Sequence, residues 1–112
     1  MHAVWPTVVQ GPETSGAIFY ASLGTGQAFS TRQRVPTLGS PKPSHPQVVV
    51  DGAGRVVVAW DEVIDGVRTA GYVGAVAEAD GRLRFGRPVV LAAGPAAYPV
   101  MVATGRGVLA AW

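Results

Sequence analysis

The chain contains no cysteine, which removes disulfides, thiolate metal sites and cysteine nucleophiles from consideration. Histidine is nearly as scarce, with His2 at a terminus expected to fray and His45 as the only other. A zinc site would need more convergent His and carboxylate ligands than this, so no metal and no cofactor are expected. Charge is sparse too: 14% of residues, nine Lys and Arg against seven Asp and Glu. Arg82, Arg84 and Arg87 form the only dense basic cluster and lack the interleaved aromatics of a strand-type nucleic-acid reader. Nucleic acid is therefore not an expected partner. No apolar run approaches the roughly 20 residues that cross a bilayer. Residues 1–6 show no basic segment leading into an apolar run, so a soluble chain without a signal peptide is expected.

Helical periodicity is missing as well. Fifteen glycines and nine prolines interrupt short Val-rich runs, and both residue types disfavour helix interiors. Short apolar runs between Gly and Pro clusters predict an all-β fold.

What the sequence does contain is a repeat. Residues 48–60 and 100–112 each read as an apolar strand, a Gly-containing turn, and a second apolar strand ending in Trp. Trp5, preceded by Ala3-Val4, is the tail of the same pattern, and the three Trp are 55 and 52 residues apart. Leu38 to Leu91 and Pro46 to Pro99 are both 53 residues, and Phe29 to Phe85 is 56, the longer 30–34 segment absorbing the difference. A period of about 50 residues with four short strands matches a propeller blade. One segment, 1–112, then holds repeat one over about 5–60 and repeat two over about 60–112. Within a unit the strands are expected at 47–50, 55–60, 67–77 and 83–85, with turns at 51–54 and 78–81. Residues 61–66 are expected as a polar connection, and 88–91 as the lead into the next unit.

The order Pro, apolar strand, Asp-x-x-Gly-Arg, apolar strand, Ala-Trp resembles the sialidase-like propeller repeats, whose blades carry an Asp-box turn, Ser-x-Asp-x-Gly-x-x-Trp or Phe. Residues 22–29 supply Ser22, Gly26 and Phe29, with Gly24 where the Asp belongs. In the second copy Asp80 and Phe85 are in register, while Glu78 stands for Ser and Arg82 for Gly. The resemblance covers nearly the whole chain and implies a fold, not an activity, because Asp boxes are structural turns. It also implies six blades, hence an expectation that three copies of this two-blade, permuted chain close one ring. The chain starting before one Trp and stopping on another suggests closure by pairing half-blades between copies. Relatives of this type are often exported or periplasmic.

Catalysis is not expected. The arginine-bearing motif of such enzymes finds only a superficial likeness in Arg34-Val35-Pro36, placed after the turn and not on an inner strand. Asp51 and Asp80 read as tight-turn residues, and Asp61, Glu62 and Asp65 as solvated members of one connection. The remaining alternative of enzyme type is a piece of a larger sialidase-like glycoside hydrolase. For binding, loops at the inner strands bring forward His45 and Tyr98, equivalent positions before Pro46 and Pro99, with Asp61 and Arg68 near them. His45 can hydrogen-bond a sugar and Tyr98 can stack on one, so carbohydrate is a candidate partner beside the chain itself. The competing reading packs both rings against their prolines, and packs Trp5, Trp60 and Trp112 between blades.

Overall fold

The computed structural model describes residues 1–8, 16–24, 26 and 28–112. Its ten strands are β1 (His2–Val8), β2 (Gly16–Ser22), β3 (Gln33–Val35), β4 (Ser44–Val50), β5 (Val56–Ile64), β6 (Val67–Ala77), β7 (Leu83–Phe85), β8 (Val89–Ala92), β9 (Val100–Thr104) and β10 (Gly107–Ala111). There is no helix among the described residues. All pairings are antiparallel and form three open sheets: β1-β2-β3, a middle sheet β4-β5-β6 whose far edge takes both β7 and β8, and the hairpin β9-β10.

Local chemistry sets the turns. Ile64 pairs with Val67, which leaves Asp65-Gly66 as a two-residue loop with φ of 50° and 79°. Two successive left-handed residues match the twist of the flanking strands, and Asp-Gly is the pair that tolerates them. The β4–β5 turn is held by the Asp51 carboxylate, which accepts from the Ala53 and Arg55 amides at 2.9 and 3.0 Å and from Arg55 Nε at 2.7 Å.

Directly opposed residues of an antiparallel pair share a face. Val56, Val58 and Trp60 of β5, opposite Ala75, Val73 and Gly71 of β6, therefore point one way. They form the core with Ile18, Tyr20 and Val35 of the first sheet, with Val4, Val48 and Phe85 packed around it. Gly71 lies under Trp60: a Cβ there would sit 3.1 Å from the indole and 3.1 Å from Leu38 Cδ1. The two sheets are also stitched by Gln33, whose amide donates to Leu83 C=O at 2.9 Å and accepts from Leu83 N–H at 2.8 Å. The opposite face of the middle sheet looks toward the β9-β10 hairpin. The sequence is thus arranged as three stacked antiparallel layers with the middle one covered on both sides.

Several expectations need correction. The strand through Trp60 does not stop there but runs to Ile64, so the connection expected at 61–66 shrinks to Asp65-Gly66. Residues 89–92 are a strand on the edge of β6, and 33–35 pair with β2. His2 is not frayed: it lies in β1, stacks on Tyr20, and its Nδ1 is 2.7 Å from the phenol oxygen. The Trp residues differ in setting, Trp60 being fully buried, Trp5 half-buried and Trp112 58% exposed. Of the first box, Thr25 and Gln27 lie outside the described residues, while Gly26 has φ of 72° and Phe29 bridges Leu23. In the second, exposed Asp80 accepts from Arg82 N–H at 3.0 Å.

Candidate functional site

Four residues from three stretches of the sequence meet at the end of the stack where β4 and β9 begin. The centre is Asp61 on β5, 0% exposed. Its cross-strand partner is Ala70, whose small side chain leaves room for what converges on the carboxylate. Oδ2 accepts the Tyr98 backbone N–H at 2.7 Å and lies 2.7 Å from His45 Nδ1. A carboxylate only accepts, so Nδ1 is the protonated nitrogen of His45 in this pair. Oδ1 takes Arg68 Nη1 from β6.

The two ring-bearing residues are held alike. His45 has φ of 52° and Tyr98 of 53°, left-handed values uncommon outside glycine, and each precedes a proline. At His45 this accompanies a register shift between Ser44 and Gln47. The rings stack, with centroids 3.8 Å apart and planes 29° apart. The Tyr98 residue remains 65% exposed, and the side chains of His45 and Arg68 are partly open to solvent. The site thus offers an aromatic platform beside a guanidinium whose charge a buried carboxylate balances. His45, Tyr98, Asp61 and Arg68 are brought together as a set, while Asp65 stays apart in its turn.

Glu62 belongs elsewhere, and reading it with Asp61 as a solvated connection is wrong for both. Successive strand residues point to opposite faces. Glu62 is buried on the first-sheet side, where Leu38 N–H donates to Oε2 at 2.9 Å, Ser40 N–H to Oε1 at 2.7 Å, and Trp60 Nε1 to Oε2. It ties the loop after β3 to the core. No sequence signal marks this, because two of its three donors are backbone amides. Since the strand sends the two carboxylates to opposite sides of a sheet, they cannot flank one glycosidic bond.

Between the middle sheet and the hairpin lies a cleft of about 740 Å³, lined mainly by apolar groups such as Val57, Tyr72, Leu91, Met101 and Val108, with Arg84 at its margin. No sequence signal marks it, because it depends on how far two layers stand apart. Among the described residues no cluster of three His, Asp or Glu suits a metal ion, and no helix is long and apolar enough to cross a membrane. No family model matches the chain, and neither the curated proteins nor the solved structures give a match.

Proposed function

We propose that the chain is a non-catalytic β-propeller module that assembles with two further copies of itself into a ring and serves as a binding scaffold. The observation that carries this reading is the shared register of its sheets. Trp5 opposes Phe19, and four residues along β2 Leu23 meets Phe29. Trp60 opposes Gly71, and four residues along β6 Ala75 meets Phe85. The strand entrances at His45 and Tyr98 share a left-handed φ, 52° and 53°. Units of one build, stacked face to face, are what a propeller requires. The use of the three buried carboxylates, Asp51, Asp61 and Glu62, to hold donors of the fold supports the non-catalytic half of the proposal.

Light scattering after size exclusion, over a concentration series, tests it. The chain is 11.5 kDa, and a stable species near three times that mass is expected. A monomer at every concentration overturns the self-assembled ring.

The exposed Tyr98 ring beside Arg68 favours a second reading, a carbohydrate site on that platform. Binding on a glycan array, lost in Tyr98→Ala, is expected. The substitution keeps the backbone N–H that Asp61 uses, so its effect reports the ring. A blank array ends this reading.

A further inference from the structure

We infer that the two outward faces of the stack, the sides of β1-β2-β3 and of the β9-β10 hairpin that no other layer of the described residues covers, are the two halves of one head-to-tail contact between copies of this chain. The inference rests on the self-assembly proposed above and assigns its seam. The molecule already contains the type of interface needed. The middle sheet presents Trp60, Val58 and Val56, and the first sheet receives them on Val4, Ile18, Tyr20 and Val35.

Register carries that pattern outward. Trp5 stands on β1 where Trp60 stands on β5, and its cross-strand neighbours are Phe19 on β2 and, opposite Phe19, Arg34 on β3. All three share the face turned away from the core. Trp5 stacks on Phe19 with centroids 6.3 Å apart, and the Arg32 guanidinium lies 4.7 Å from the Phe19 centroid. Trp and Arg on a packed platform are the residues that dominate interface centres.

At the far end the hairpin turns Met101, Val108 and Ala110 toward the cleft. Val102 and its opposed Leu109 face outward, with Val100 on the same side, and these three are 58%, 64% and 54% exposed. The Val102–Leu109 pair stands three residues before Trp112 as Val49–Val57 stands three before Trp60. In the middle sheet that same position is half-buried, Val57 facing the hairpin across the cleft. The first-sheet face is therefore of a kind this fold buries and the hairpin face of a kind it half-buries, and each finds its counterpart at the other end of the same chain. Contact between unlike faces is heterologous and propagates from copy to copy, as ring closure requires.

A complementation experiment tests this. Trp5→Glu spoils the first-sheet face and Leu109→Glu the hairpin face, with folding of each checked by circular dichroism and thermal melting. Should Trp5→Glu not fold, Arg34→Glu, exposed on the same face, replaces it. The wild-type chain is expected to gain mass with concentration, and each variant alone to stay at 11.5 kDa. An equimolar mixture of the two variants should form a species of twice that mass and nothing larger, since one intact face of each kind remains. If the wild type assembles and both variants assemble equally well, or only one substitution matters, the head-to-tail seam is overturned while self-assembly stands. If the wild type is monomeric throughout, self-assembly falls and the seam with it.

Discussion

Asp61 and Glu62 show how much two adjacent acids can do when a strand separates them. Glu62 satisfies three donors with two oxygens, and an amide cannot. Glu62→Gln puts an NH₂ against at least one N–H, leaving a buried donor unpaired, which costs about 1–3 kcal/mol. Urea unfolding should show that loss as a lower midpoint at unchanged slope. Asp61→Ala removes the partner of Arg68, His45 and the Tyr98 amide together. Losing one half of a buried pair costs about 3–5 kcal/mol; because Arg68 and His45 are partly solvated, about 2–3 kcal/mol is expected here. Two other residues contribute to the acid limb of stability. Hydrogen bonds from the Arg55 amide, then its side chain and the Ala53 amide, hold the Asp51 carboxyl below the usual 3.8. Burial and the nearby terminal ammonium hold His2 below 6.5. Both shifts are downward, so the stability each contributes is complete above the ordinary value and is lost as pH falls through the lowered one. Thermal melting against pH should therefore decline below about pH 6.5 and again below about pH 4. Asp51→Asn should flatten only the second decline, and His2→Gln only the first.

At the scale of the element, Gly71 is the position where one atom decides the packing of two sheets. Trp60 lies across it, with the indole where a Cβ would need space. Gly71→Val should cost about 1–3 kcal/mol by overpacking, with Trp60 emission moving to the red as the ring is displaced. The corresponding place in the first sheet holds Phe19, and there Trp5 stacks on an aromatic neighbour. Much of this level is legible in the sequence. The Val-rich runs, the Asp51 turn, the third strand at 67–77 and the short strand ending at Phe85 follow from period and turn chemistry. The equivalence of His45 and Tyr98 is legible from spacing alone. What is not legible has a common cause. Asp61-Glu62 next to Trp60 has the polarity of a loop, and half of the donors that satisfy the buried pair are backbone amides at Leu38, Ser40 and Tyr98, invisible in a string of side chains. Strands β7 and β8 share one edge of β6, so the single outer strand expected from the repeat is two short ones with a break between.

For the whole molecule, the decisive asymmetry is between the middle sheet and the hairpin. The middle sheet has a layer on each side and supplies most of the fully buried apolar groups, among them Val58, Trp60, Ala70 and Val73. The hairpin has two strands, one face against an open cleft and the other free. Its tie to the middle sheet includes the Tyr98 amide held by Asp61. Regions with few buried apolar contacts open at a fraction of the global unfolding free energy. Amide exchange should therefore rank the ladder amides of β9 and β10 well below those of β5 and β6, both measured in one sample at low concentration. Asp61→Ala should lower protection in the hairpin further than in the first sheet, because it cuts a link that only the hairpin side uses. Raising the concentration should then slow exchange in the hairpin and in the first sheet more than in the middle sheet, since a contact that covers Val102 and Leu109 on one side and Trp5 and Phe19 on the other adds its binding free energy to the cost of opening either. Equal protection across all three layers at low concentration would mean that the hairpin is as firmly seated as the core, and that the cleft beneath it is no weakness of the fold.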